Sequence, residues 1–152
     1  MSKIKHPTGL KTLFFTEMWE RMSYYGMRGI LVLFMTASIN NGGLDFSNAS
    51  ASAIYGIYAA AVYLMALPGG WIADNIFGQQ KTILLGGIVI MFGHLSLAIP
   101  NMTFFYAGLI LVVIGTGLLK PNISAIVGGL YENNTSLRES GFTIFYMSIN
   151  IG

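Results

Sequence analysis

The sequence predicts an all-α fold, a polytopic bundle of transmembrane helices. Of the 152 residues, 54% are hydrophobic and 9% are charged, whereas soluble domains contain roughly 25% charged residues. A helix needs about 20 mostly apolar residues to cross the hydrocarbon core of a bilayer. Four such stretches, separated by polar or glycine-rich connections, fill most of the chain.

The first two predicted helices are unusually long. The first covers about residues 9–39 and ends at the polar, glycine-rich sequence NNGGLD. The second covers about residues 48–72 and ends shortly after Pro68 and two glycines. Both contain enough apolar residues to span the membrane.

Three further helices follow the second one. The third covers about residues 82–99 and stops at Pro100, because a proline ring is poorly tolerated inside a helix. The fourth covers about residues 104–130 and ends before the polar stretch YENNTSLRES. A fifth begins near residue 141 and is truncated by the end of the sequence.

Charge and composition exclude several functional classes. A net charge of +2 with scattered basic residues does not predict a nucleic-acid partner. The absence of cysteine excludes disulfides and thiolate metal sites. We therefore expect no metal site and no cofactor. The first residues lack the apolar core and cleavage site of a signal peptide.

Basic residues in the connections predict the orientation of the chain. Lys and Arg favour the cytoplasmic side of a membrane. Lys3, Lys5 and Lys11 lie in the N-terminal segment, Lys81 follows the second helix and Arg138 follows the fourth. The first and third connections contain no basic residue, so the N-terminus is predicted to be cytoplasmic.

The first helix contains charged residues that a lipid-facing helix would not tolerate, namely Glu17, Glu20, Arg21 and Arg28. Each charge near mid-bilayer costs about 2.5–3.5 kcal/mol on insertion scales. At about 100° per residue the charged and tyrosine side chains fall on one face, with a central stripe of Glu17, Arg21, Tyr24 and Arg28 flanked by Glu20 and Tyr25.

Such a face predicts a watery cavity in which protonation responds to a bound substrate. The alternative is an amphipathic helix whose charges reach the membrane surface. That alternative accommodates Glu17 but fits Arg28 poorly, because an apolar run follows it directly.

Lys120 lies deep in the fourth helix, in the sequence GLLKPN. An ionisable residue at that depth indicates a functional site, and its natural partner is Glu17, Glu20 or an anionic group of a substrate. The alternative is a lysine that reaches the cytoplasmic interface. Tyr63, in the middle of the second helix, fits either a cavity or packing in the core.

The turn between the second and third helices contains Asp74, Gly78 and Lys81. Glycine permits a tight reversal, and Asp74 with Lys81 is a candidate for a cytoplasmic gate that opens when the halves of a transporter move apart. The alternative is an ordinary solvated turn.

Four motifs together resemble the proton-dependent oligopeptide transporter family of the major facilitator superfamily. They are E-x-x-E-R-x-x-Y-Y-G from Glu17, the sequence GGWIADNIFGQQKTI from Gly69, GLLKPN in the fourth helix and FTIFYMSINIG at the end. The resemblance implies that residues 1–152 are the N-terminal transmembrane region, part of a six-helix half, and that the C-terminal half is missing.

The resemblance also implies roles for individual residues. Its proton-coupling group corresponds to Glu17, Glu20, Arg21 and Lys120, and its peptide-binding group corresponds to Tyr24, Tyr25, Arg28, Tyr63, Lys120 and Asn150. Met22 departs from the family's usual Phe, and Gln79 and Gln80 stand where basic residues are commoner.

By this resemblance the protein is expected to import di- and tripeptides with protons across the inner membrane of a bacterial cell, by alternating access. It is expected to be a transporter and not an enzyme, with the proton as its coupling ion and the lipid bilayer as its surroundings. Two alternatives stay open: a carrier of nitrate or another small anion, and a receptor with the same fold that does not transport.

Overall fold

The structure, a computed structural model, describes residues 6–132 and 135–152. Within these ranges it contains five α-helices and no β-strand, which confirms the predicted all-α class. The helices are α1 (Thr8–Thr36), α2 (Asn48–Ile72), α3 (Gln79–Leu97), α4 (Met102–Gly129) and α5 (Arg138–Ile151). Lys3 and Lys5, which contributed to the predicted orientation, lie outside the described residues.

The first helix ends at Thr36 and not near residue 39 as predicted. The chain reverses soon after this point, and the amide of Leu44 donates a hydrogen bond to the carbonyl of Phe34 at 3.1 Å. Ile39–Asn41 forms a separate 3-10 turn. The apolar character of the segment therefore extends further along the sequence than its helical conformation.

The connection between α2 and α3 is shorter than predicted. A π-helical turn, Ala73–Phe77, follows α2 directly, and α3 begins at Gln79 and not near residue 82. Between them Gly78 adopts φ 79° and ψ 154°, a conformation that glycine reaches without the steric penalty of a side chain. One glycine thus separates the two helices.

The last two helices also begin earlier than predicted. The side chain of Asn101 accepts a hydrogen bond from the amide of Thr103 at 2.8 Å, so it caps α4, which starts at Met102 and not near residue 104. The fifth helix starts at Arg138 and not near residue 141, directly after a 3-10 turn, Thr135–Leu137.

Three helical segments are long and apolar enough to cross a membrane in the described part of the chain. They are α2 with its π-helical extension (Asn48–Phe77), α3 and α4. The first helix has 29 residues, and at about 1.5 Å per residue it is also long enough. Composition alone does not identify α1 as a membrane span, because α1 contains several charged residues.

The chain divides into two compact units. Unit 1 comprises residues 1–26 and 123–152, and unit 2 comprises residues 27–122. Unit 1 contains the first part of α1, the end of α4 and α5. Unit 2 contains the rest of α1, α2, α3 and most of α4.

Glycines bring the helices of unit 2 into backbone contact. A Cβ atom on Gly69 of α2 would lie 2.0 Å from the carbonyl oxygen of Gly117 on α4. A Cβ atom on Gly86 of α3 would lie 2.7 Å from the carbonyl oxygen of Gly115, also on α4. Helices in membranes associate through such close packing, because lipid provides no hydrophobic force between them.

In unit 1 the side chain of Tyr131 joins three segments. Tyr131 is 1% exposed, and a Cβ atom on Gly141 of α5 would lie 2.3 Å from its ring. Its hydroxyl lies 2.8 Å from Nδ1 of His6. Burial raises the pKa of Tyr131 above its ordinary value, so the hydroxyl remains protonated. These contacts fix the start of α1 against α5 and the end of α4.

Candidate functional site

A buried cluster of three charged side chains lies on α1 in unit 1. The Nε atom of Arg21 lies 2.8 Å from Oε1 of Glu17 and 3.1 Å from Oε2 of Glu20. Glu17, Glu20 and Arg21 are 2%, 7% and 5% exposed. Residues four positions apart on a helix face the same side, which explains the contact of Arg21 with Glu17, and the same guanidinium also lies within reach of the adjacent Glu20.

The cluster has an unequal number of positive and negative groups. With both carboxylates ionised, two negative charges share one guanidinium, and the formal charge is −1. The Oε2 atom of Glu17 is buried and has no hydrogen-bond donor among the described residues. A buried acceptor without a donor costs about 1–3 kcal/mol, and more when charged.

Two tyrosines follow the charged cluster on α1. The ring centroid of Tyr24 lies 6.0 Å from Cζ of Arg21, and the rings of Tyr24 and Tyr25 meet edge to face at 5.5 Å. Tyr25 is 45% exposed. Tyr24 therefore adjoins the charged group, whereas much of Tyr25 remains accessible to a ligand.

Asn150, a predicted peptide ligand, lies on the exposed side of α5. Its Nδ2 atom donates a hydrogen bond to the carbonyl of Tyr146 on the same helix, at 3.0 Å. This hydrogen bond uses the side-chain nitrogen of Asn150 and not its side-chain oxygen. A role in binding the amino end of a peptide stays a prediction.

Two cations of unit 2 lie against tyrosine rings of α2. Cζ of Arg28 on α1 lies 5.4 Å from the ring centroid of Tyr55. Nζ of Lys120 on α4 lies 5.1 Å from the ring centroid of Tyr63. Such cation–π contacts stabilise a pair by about 0.5–1 kcal/mol when exposed and about 2 kcal/mol or more when desolvated. Tyrosines of α2 thus contact one cation on α1 and one cation on α4.

An aromatic ring contacts a guanidinium in a different way than a carboxylate does. The ring face attracts the positive charge but supplies no lone pair in the plane of the N–H groups. Arg28 is exposed, so its N–H donors are accessible to an anionic ligand. Sequence reasoning missed Tyr55, although three tyrosines were visible in the apolar second helix.

Asn122 fixes α4 beside Lys120. Its Nδ2 atom donates to the carbonyl of Leu118 at 2.6 Å and to that of Gly69 on α2 at 3.3 Å. Asn122 is 2% exposed. Because Pro121 has no N–H group, the helix lacks one internal hydrogen bond at this point, and Asn122 adds a polar link to α2. Sequence reasoning assigned Asn122 no role.

Asp74 and Lys81 do not form the predicted ion pair. Both are exposed, and within the described ranges no salt bridge joins them. Asp74 lies in the π-helical turn before Gly78, whereas Lys81 lies within α3. The tight turn leaves both side chains exposed in this conformation. Their role in gating stays a prediction.

The structure brings together the predicted proton-coupling residues of α1, and it divides the predicted site residues between the two units. Unit 1 contains the cluster of Glu17, Glu20 and Arg21, and unit 2 contains Arg28 and Lys120. The predicted communication between Lys120 and the two glutamates joins residues of different units, so it stays a prediction.

Comparisons with known proteins agree with the sequence motifs. The POT family model matches residues 80–152. The chain is 51% identical over 149 residues to the di-/tripeptide transporter of Lactococcus lactis subsp. lactis (strain IL1403), which covers 96% of this chain and 30% of that protein. It is 53% identical over 148 residues to the uncharacterized transporter YclF of Bacillus subtilis (strain 168), covering 97% of this chain and 30% of that protein.

A solved structure has the same fold. A crystal structure of a mutant peptide transporter POT in complex with alafosfalin superposes with a TM-score of 0.93 at 49% identity, covering 99% of this chain and 31% of that chain. The chain therefore spans about 30% of the length of the relatives that it matches.

Proposed function

The chain belongs to the POT family, and from this premise we propose that the whole protein imports di- and tripeptides together with protons by alternating access. The observation that carries this proposal is the buried cluster of Glu17, Glu20 and Arg21. Two carboxylates that share one guanidinium leave one carboxylate able to hold a proton, which is what proton coupling requires. The similarity to a named di-/tripeptide transporter supports the choice of substrate.

Proton coupling follows from the charge of the cluster. In the protonated state, a proton on Glu17 leaves one carboxylate and one guanidinium, whose opposite charges cancel. In the deprotonated state, the buried group has an excess negative charge that attracts a further cation. We assign that cation to Lys120, as the family resemblance implies.

Lys120 then links the proton to the peptide. The carboxylate end of a peptide would bind Arg28, Lys120 and the hydroxyl of Tyr25. Such hydrogen bonds between ionised groups contribute about 1.5–3 kcal/mol. A lysine that binds the peptide attracts the glutamates less, so peptide binding and protonation become thermodynamically coupled. Tyr24, Tyr63 and Asn150 would line the rest of the cavity.

The proposed location is the inner membrane of a bacterium, with several membrane spans and a cytoplasmic N-terminus. Lys11, Lys81 and Arg138 lie in segments that this topology places on the cytoplasmic side. Asp74 and Lys81 would form a gate in a conformation other than the present one.

The proposal is tested with the full-length protein in liposomes. Uptake of labelled dialanine is measured with an inward proton gradient, and again after an ionophore has collapsed the gradient. Accumulation that requires the gradient would support peptide–proton symport. Peptide binding without accumulation would favour a receptor, and accumulation of nitrate in place of dialanine would favour an anion carrier that uses Arg28 and Lys120.

A further inference from the structure

We propose that Asn122 is a positioning residue for Lys120, and that its hydrogen bond to α2 holds α4 in the rotation that places the lysine ammonium over Tyr63. The inference rests on the proposed function, because it takes Lys120 as a ligand of the peptide carboxylate. Asn122 is itself buried, so it acts through Lys120 and not by touching the peptide. All three residues belong to unit 2.

Lys120 and Asn122 contact α2 from two sides of α4. Two residues correspond to a rotation of about 200° around a helix axis, so the two side chains leave α4 in nearly opposite directions. Nζ of Lys120 lies 5.1 Å from the ring centroid of Tyr63, and Nδ2 of Asn122 lies 3.3 Å from the carbonyl oxygen of Gly69, further along α2. A rotation of α4 that breaks the bond to Gly69 therefore also moves Lys120 relative to Tyr63.

The fourth helix needs an external restraint at this point. Pro121 has no N–H group, so it cannot donate the usual helical hydrogen bond to the carbonyl of Gly117, four residues before it. That carbonyl faces α2, where a Cβ atom on Gly69 would lie 2.0 Å from its oxygen. Two glycines bring the backbones close, but they supply no side chain that would fix the rotation of either helix. Asn122 supplies a directional bond beside this crossing.

The hydrogen bonds of Asn122 indicate a role beyond satisfying buried polar groups. Its side-chain nitrogen carries two hydrogens and donates to the carbonyls of Leu118 and Gly69. The carbonyl of Gly69 also accepts a hydrogen bond from the amide of Ala73 on its own helix. Because α2 does not need Asn122 to satisfy this carbonyl, the bond between the helices serves to place α4.

The test is isothermal titration of the full-length protein with dialanine and with C-terminally amidated dialanine. The readout is the ratio of the affinity for dialanine to the affinity for the amidated ligand. Asn122→Leu has nearly the same side-chain volume and no donor, and it should lower this ratio about threefold to tenfold, as expected for the loss of one hydrogen bond. Only the ligand with a carboxylate uses Lys120, so a mere loss of packing would weaken both ligands equally and leave the ratio unchanged.

Ser96→Ala is the matched control. Oγ of Ser96 on α3 donates to the carbonyl of Phe104 on α4 at 2.8 Å, so this variant also removes a buried hydrogen bond between a side chain and the backbone of a neighbouring helix. Phe104 precedes Lys120 by about 24 Å along α4, at about 1.5 Å per residue. Ser96→Ala should therefore leave the ratio of the two affinities at the wild-type value.

A second variant separates the two hydrogen bonds of Asn122 and provides the test if the leucine variant does not fold. In Asn122→Ser the hydroxyl can bond to the carbonyl of Leu118 within the helix, but it is too short to reach Gly69. The ratio of the two affinities should fall as it does in Asn122→Leu.

A double variant decides whether Asn122 acts through Lys120. In the Lys120→Gln background, Asn122→Leu should have no further effect on the ratio, because the side chain that it positions is absent. A fall of the same size in that background would overturn the inference, and so would a wild-type ratio in both Asn122 variants while Lys120→Gln lowers it. If Lys120→Gln itself left the ratio unchanged, the proposed carboxylate site would fail together with the inference.

Discussion

The two units hold their charged residues in different ways. In unit 1 a guanidinium and two carboxylates form a buried cluster within about one turn of α1, with Arg21 at 2.8 and 3.1 Å from its partners. In unit 2 the cations Arg28 and Lys120 lie 5.4 and 5.1 Å from the centroids of tyrosine rings on α2. The first arrangement pairs opposite charges on one helix, whereas the second positions positive charge against an aromatic surface.

This difference corresponds to two chemical tasks. A cluster with an excess carboxylate can exchange a proton with little movement of the chain. Arg28 is oriented by the ring face of Tyr55, yet its N–H groups can still bind a carboxylate from outside. The proposed transport cycle needs both tasks, because the proton and the peptide must be held by different groups that influence each other.

The largest effect is expected where charge is buried. Arg21→Met should lower the free energy of unfolding by about 3–5 kcal/mol, because it leaves two buried carboxylates without their cation. Arg28→Met, the same substitution further along the helix, removes an exposed side chain and its contact with Tyr55, and should lower stability by about 0.5–1 kcal/mol. Thermal unfolding of the purified full-length protein in detergent measures both.

A compensating variant separates charge from packing. Adding Glu17→Gln and Glu20→Gln to Arg21→Met removes both carboxylate charges and should recover much of the lost stability without recovering transport. If Arg21→Met and Arg28→Met destabilised the protein equally, the contrast between the two units would be wrong.

A smaller effect is expected on peptide binding. Arg28→Met and Lys120→Gln should each weaken the binding of dialanine about tenfold to a hundredfold, since each removes a charge-assisted hydrogen bond of about 1.5–3 kcal/mol. C-terminally amidated dialanine, which has no carboxylate, is the matched control ligand and should lose little affinity. Isothermal titration with both ligands makes the comparison. Equal losses for the two ligands would exclude Arg28 and Lys120 as the carboxylate site.

The smallest effect is expected at the tyrosine ring that positions Arg28. Tyr55→Leu should weaken dialanine binding about twofold to fivefold, because it removes a cation–π contact of about 0.5–1 kcal/mol. Tyr55→Phe retains the ring and should bind almost as well as the wild type. A large loss in Tyr55→Phe would mean that the hydroxyl, and not the ring face, acts at this position.

The same comparison explains which parts of the site could be predicted from the sequence. The contact of Glu17 with Arg21 depends on helical periodicity, so their spacing of four residues predicted it, and Glu20 was visible on the flank of the same face. The contact of Arg28 with Tyr55 depends on how α1 and α2 pack. Nothing in the sequence indicates that Tyr55 contacts Arg28, so Tyr55 resembles any other tyrosine in an apolar helix.

The fold shows a similar limit. Long apolar stretches predicted the helices, because length and composition suffice for that inference. The turn at Gly78 depends on one residue with φ 79°, and its effect on neighbouring side chains is geometric. The sequence suggested an ion pair of Asp74 with Lys81. In the structure both side chains are exposed, and α3 starts directly after the turn.

The most direct test of proton coupling compares two assays of full-length Glu17→Gln in liposomes. One measures accumulation of labelled dialanine driven by a proton gradient, and the other measures exchange of dialanine across the membrane without a gradient. If the buried cluster carries the proton, accumulation is lost and exchange continues, because the peptide-binding cations are intact. Accumulation at the wild-type level would contradict the account, and so would the loss of both activities in a protein with wild-type stability.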